Sequence, residues 1–159
     1  MDTVTINSDP PWHITSPHID TSISTYITKQ DPPHIIKAHA LDTIEHCKRC
    51  LAIYTDGSEG RSGRVTSALY VPELNVKMAK RITDNLTVYT AELIAIKLRL
   101  EWINENDHDG AFSENVDVAL FSDSLSSLIS IQNGQSKTRP NLTGEILSLA
   151  TKLSNKKII

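Results

Sequence analysis

A mixed α/β sheet with helices packed against it is the fold this chain predicts, and three features of the sequence predict it. Residues 51–55 (Leu-Ala-Ile-Tyr-Thr) form a continuous apolar run of strand length, which suggests a central strand covered on both faces. Residues 88–106 carry Ala91, Ile94, Ala95, Leu98 and Trp102 at helical spacing, with Leu93, Ile96, Leu100 and Ile103 widening the apolar face. A further apolar run at 116–121 follows that helix. A helix between two buried strands is the crossover that a parallel pair requires.

Taken in order, the elements fall into two unequal parts. Residues 1–48 read as a Pro-rich connector, largely irregular, because Asp9-Pro-Pro11, Ser16-Pro17 and Asp31-Pro-Pro33 break it repeatedly. One short helix is expected there, at about 36–46. Residues 49–159 form the domain. After the strand at 51–55, Asp56-Gly57-Ser58 through Gly63 is a turn, and 64–71 is the returning strand, stopped by Pro72. Val76, Met78, Lys80 and Ile82 alternate with Lys77, Ala79, Arg81 and Thr83, the period of a half-exposed strand. Beyond the long helix and the strand at 116–121, residues 124–132 predict a short helix closed by Asn133-Gly134. A last helix at 142–153 follows Pro140, and Lys156-Lys-Ile-Ile159 looks like the first residues of another strand. The sheet therefore has three antiparallel strands, then a parallel one, and is C-terminally incomplete.

With 159 residues the chain has room for one domain and a tail. Apolar content of 39% and aromatic content of 5% point to a small, aliphatic core. A net charge of −3 advertises no basic surface, so any nucleic-acid contact must be local. The first residues carry no signal-peptide pattern and no run is long enough to cross a membrane, so an intracellular protein is expected, in nucleus or cytoplasm. The glycosylation sequons at Asn85 and Asn141 then read as chance, and Cys47 and Cys50 suit a reducing compartment.

Three carboxylates stand at the ends of core elements: Asp56, Glu92 and Asp123. Each lies in or just after an apolar run, where a bare charge is costly unless paired or holding a cation. Each also has an ordinary reading: Asp56-Gly57 as a hairpin turn, Glu92 as a first-turn charge favoured by the helix dipole, Asp123 as a helix N-cap. Their spacing favours a joint role. In the predicted topology strands one and four are neighbours and the long helix lies across them, so all three acids meet at one end of the sheet. Such a cluster is a hard, oxygen-rich site suited to Mg²⁺.

The pieces Tyr54-Thr-Asp-Gly-Ser58, Val88-Tyr-Thr-Ala-Glu-Leu-Ile-Ala-Ile96 and Phe121-Ser-Asp-Ser124, in that order and on those elements, resemble the type 1 ribonuclease H domain of non-LTR retrotransposon reverse transcriptases. The resemblance covers about residues 51–159, and the Pro-rich segment resembles the connector leading into that domain. It implies a ribonuclease H-like fold and endonucleolytic hydrolysis of the RNA strand of an RNA–DNA hybrid by two Mg²⁺ ions, for which Mn²⁺ can substitute. By match, Asp56 would bridge both metals and Glu92 and Asp123 would complete one site, with Gly57, Ser58 and Ser124 as nucleic-acid contacts. The partners implied are the hybrid and the remainder of a reverse transcriptase polyprotein, with no membrane.

This sequence departs from the family in one respect. The family's fourth acidic ligand lies beyond a fifth strand, and no matching segment is present, so the domain reads as truncated. The alternative reading is a catalytically inactive remnant that binds nucleic acid, or a partner protein, through an open sheet edge. Other signals are weaker. His46-Cys47-Lys-Arg-Cys50, with His39 upstream, lacks the spacing of a zinc site. Lys77, Lys80, Arg81, Lys137 and Arg139 read as a solvated face that could touch phosphates. His13, His18, His34 and His108 are assigned to loops, Trp12 to a tail anchor and Trp102 to the core.

Overall fold

The structure is a computed structural model that describes residues 17–108 and 117–153. Two helices come first, α1 (Ile23–Tyr26) and α2 (Pro33–His46). The sheet strands β1 (Leu51–Glu59), β2 (Val65–Val71) and β3 (Val76–Arg81) follow, with a 3-10 turn at Pro72–Leu74 between the last two. Then come α3 (Val88–His108), β4 (Val118–Ser122), α4 (Leu125–Gln132) and α5 (Pro140–Lys152). The four strands form one sheet in the order β3-β2-β1-β4. β1 pairs antiparallel with β2, β2 antiparallel with β3, and β1 parallel with β4. This is the ribonuclease H-like mixed sheet expected from the sequence.

The central strand behaves as its apolar run predicts. Leu51, Ala52, Ile53 and Thr55 are buried, and Ile53 is fully enclosed. The helix α3 lies across β1 and β2, and α5 packs on α3. Ile53, Leu69, Val71, Leu93, Ile96, Leu100, Ile103, Val118, Ile146 and Leu147 make one core between sheet and helices. Each such side chain contributes about 1.5–3 kcal/mol on burial. On the alternate positions of the sheet, Tyr70, Tyr54 and Phe121 stand opposite one another on three adjacent strands. Their ring centres are 6.1 Å and 5.3 Å apart, and Lys77 sits 5.2 Å from the centre of the Tyr70 ring.

Several expectations change in detail: the long helix lies across β1 and β2 rather than β1 and β4, His34 lies in α2 and His108 ends α3. β1 runs on to Glu59, so Asp56, Gly57 and Ser58 are strand residues and the turn begins at Gly60, where its N–H donates to the Arg64 carbonyl at 2.7 Å. The Asp-Gly pair mimics a turn signal because the close approach of the long helix needs a glycine at position 57. β3 is exposed along both faces apart from half-buried Val76; it is an edge strand that α3 does not reach, so its alternation has no core to face. The helix in the connector begins at Pro33 rather than 36, since a proline at the first helical position is already set to helical φ. α5 begins at Pro140 for the same reason. Gly134, at φ +66°, follows the C-cap of α4 as expected, and its neighbour Gln135 donates to the Ser130 carbonyl at 3.1 Å. Trp102 packs against the core. Val116, Trp12, His13 and the expected strand at 156–159 lie outside the described residues.

Candidate metal centre

The positions of two acids follow from strand register. The parallel ladder between β1 and β4 ends at the pair Thr55 and Ser122. Asp56, still within β1 and paired with Ala68 of β2, and Asp123, the first residue past β4, come next, where β1 and β4 part at the carboxyl end of β4. In open α/β sheets this is where ligands bind. Both side chains are exposed.

Glu92 comes from the other side. Thr87 caps α3, its Oγ1 accepting the Thr90 N–H at 3.2 Å and lying 2.9 Å from the Thr90 hydroxyl. With the cap supplied there, Glu92 sits beyond the first turn and has no capping role. It is 5% exposed, and its Oε2 accepts the Gly57 backbone N–H at 3.1 Å. That contact depends on the absence of a side chain at Gly57. A Cβ placed there would lie 2.6 Å from the Ala91 carbonyl carbon and oxygen and from the Glu92 nitrogen. Gly57 thus lets α3 rest directly on β1 and brings Glu92 to the strand end.

One carboxylate oxygen from each of Asp56, Glu92 and Asp123 lies within 4.8 Å of the other two. Burial pushes the Glu92 carboxyl up to about 7, the negative charge of Asp123 adds to this, and that of Asp56 adds less; the Gly57 N–H works in the opposite direction. Three like charges at this separation repel, and a cation between them would relieve the repulsion and take the place of the Glu92 proton. The donors are all carboxylate oxygens, the set hard divalent cations prefer. The cluster is therefore fit to hold a metal ion.

Asp123 does not cap α4. Ser124 is the N-cap residue, with no side-chain bond to the helix backbone, and its hydroxyl donates to Ser127 Oγ at 2.8 Å. The Ser124 N–H donates to Ser122 Oγ at 3.2 Å. These serines tie down the β4–α4 corner and leave the Asp123 carboxylate free for the cluster. Ser58 is exposed on β1, one residue beyond Gly57, and Ser124 is half-buried.

Other sequence signals do not gather. Among the described residues, Asp56, Glu92 and Asp123 are the one group of three or more metal-binding side chains close enough to share an ion; Cys47, Cys50, His46 and His39 form no such group. Lys77, Lys80, Arg81, Lys137 and Arg139 are exposed, and Arg81 pairs with Asp84. Two features carry no advance signal in the sequence. Tyr89, one turn before Glu92, hydrogen-bonds Ser130 and Ser136, forty-odd residues away. Arg99, two turns after Glu92, is 3% exposed and donates to Ser67 Oγ at 2.6 Å, with no ion pair among the described residues. Helical spacing from Glu92 marks both as neighbours of the acid, but their partners depend on tertiary packing. Among the described residues no helix is long and apolar enough to cross a membrane.

No protein-family model matches the chain, and no curated protein matches it.

Proposed function

We propose that this domain is a ribonuclease of the ribonuclease H type, of the form carried by non-LTR retrotransposon reverse transcriptases, and that it cuts the RNA strand of an RNA–DNA hybrid. The observation that carries the reading is the convergence of Asp56, Glu92 and Asp123 where the parallel ladder of β1 and β4 ends. The mixed sheet and the order of the three motifs along the chain support it.

Asp56, Glu92 and Asp123 would hold Mg²⁺, with Mn²⁺ as a substitute. When bound, divalent metal supplies a lowered pKa for the attacking water and charge stabilisation for the departing 3′ oxygen. The chain supplies the geometry. Asp56 and Asp123 face solvent, where the anionic backbone of a hybrid can approach. Glu92 is oriented from below by the Gly57 N–H and takes up or releases its proton at the buried carboxyl. Gly57, Ser58 and Ser124 border the acids and are the contacts proposed for the hybrid backbone, with Gly57 contributing chiefly the close approach that its missing side chain permits. The RNA strand would be told from DNA by its 2′-hydroxyl groups.

An end-labelled RNA–DNA hybrid incubated with the protein and Mg²⁺ or Mn²⁺ tests the proposal, with Asp56→Asn as control. RNA-strand cutting that needs metal and that Asp56→Asn abolishes is the expected result. Folded protein that cuts no more than Asp56→Asn would reject the enzyme reading and favour an inactive fold that binds without cutting.

A further inference from the structure

The first turn of α3 is joined to α4 and to the start of α5 by a chain of hydroxyl groups whose direction can be worked out. Tyr89 Oη donates to Ser130 Oγ at 2.9 Å and lies 2.8 Å from Ser136 Oγ. Ser130 Oγ donates in turn to the Ser126 carbonyl at 2.9 Å. Since the single Tyr89 proton goes to Ser130, the other bond must run from the Ser136 hydroxyl to Tyr89. Ser136 Oγ also accepts the Arg139 backbone N–H at 3.0 Å. The order is therefore Arg139 N–H, Ser136, Tyr89, Ser130, Ser126 carbonyl. Each hydroxyl donates once and accepts once, and Tyr89 is the one member contributed by α3.

Tyr89 thus links the helix that carries Glu92 to the helix that follows Asp123. It lies three residues before Glu92, on the same side of α3. Its partner Ser130 lies on α4, whose first residue follows Asp123 by two. Glu92 is attached to β1 through Gly57, but the described residues show no direct bond between Glu92 and the β4–α4 corner. The Tyr89–Ser130 bond spans that gap. We infer that Tyr89 is a positioning residue for the acid cluster: by pinning the first turn of α3 to α4 it fixes Glu92 relative to Asp123. The inference rests on the metal reading above for its purpose, but not for its geometry.

Tyr89→Phe removes the hydroxyl and keeps the ring. Two measurements on this variant test the role. One is hydrogen exchange of the Gly57 amide without metal, and the other is Mn²⁺ affinity by calorimetry. Ile103→Val, a core truncation far along α3, serves as the control for a general loss of stability. The expected result is faster Gly57 exchange and about tenfold weaker Mn²⁺ binding in Tyr89→Phe, with neither change in Ile103→Val at matched stability. Adding Ser130→Ala to Tyr89→Phe should then do little more, since the bond is already gone. Unchanged Gly57 exchange in Tyr89→Phe, or the same acceleration in both variants, would overturn the inference. If the parent protein binds no Mn²⁺ while Gly57 exchange still responds to Tyr89→Phe, the positioning role stands and the metal reading fails.

Discussion

Arg99 and Glu92 are both buried charges on α3, and they behave differently. The Arg99 guanidinium has one hydrogen bond, to Ser67, and its Nε has none. Burial pulls its pKa below the usual value. A buried cation with no anion among the described residues costs more than an apolar side chain of similar length, and even buried ion pairs give up as much as about 4 kcal/mol of stability relative to well-packed apolar replacements. Arg99→Met should therefore raise the urea midpoint, whereas a lowered midpoint would mean that Arg99 has solvent or an anion the geometry does not display. Glu92 carries its cost in a pH-dependent form. Its folded-state value of about 7 lies above the ordinary 4.5, so the folded protein keeps a proton that the unfolded chain gives up. The penalty is absent below about pH 4.5, grows through the interval to pH 7, and is complete above it. In EDTA, Glu92→Gln should match the parent at pH 4 and exceed it in stability at pH 8. Added Mg²⁺ should reverse that order at pH 8, because metal binding stabilises only the protein that has the carboxylate. Melting curves at the two pH values, with and without metal, check both signs.

At the scale of elements, the contact between α3 and β1 is the one on which the cluster depends. Gly57→Ala drives its new methyl to 2.6 Å from the backbone of Ala91 and Glu92, and neither a methyl on the strand nor a helix backbone can yield by rotating a side chain. A loss of about 1–3 kcal/mol or more is expected, together with weaker metal binding, since Glu92 moves with the helix. Denaturation and Mn²⁺ titration of the same variant would show the two losses together; intact metal binding would mean that α3 slides rather than lifts. The elements were largely legible from sequence because β1, α3 and β4 carry strong apolar patterns. So were the three acids, since each terminates or interrupts such a pattern. The limits of β1 were not legible: Asp-Gly is chemically a turn pair, and only the approach of α3, a tertiary contact, explains the glycine inside a strand. The exposure of β3 was hidden for a similar reason, since alternation specifies two faces but not whether a helix reaches either one. Arg99, which by its charge reads as a solvent-side residue of α3, is instead buried, because nothing local distinguishes an arginine that snorkels outward from one held at Ser67.

For the molecule as a whole, the sheet has two edges of different character. β3 is charged and exposed, which discourages pairing with another chain. β4 has a strand partner on one side only among the described residues, and its first two residues are buried and apolar. An edge of this kind templates strand addition. Sedimentation over a range of protein concentrations should show a weight-average mass that rises with concentration; a constant mass would mean that the outer side of β4 is blocked. The same strand also sets the order in which the acids come together. β1 and β2 meet through a short hairpin, and Glu92 meets Gly57 across 35 residues, but Asp123 reaches Asp56 only once β4 has docked beside β1. That is the longest loop closure in the sheet, and the entropy it costs places it late in folding. On that ground two acids would be in place before the third arrives. An ion that needs all three would bind only a chain whose sheet has closed, so the rate at which metal affinity appears during refolding would time that last step.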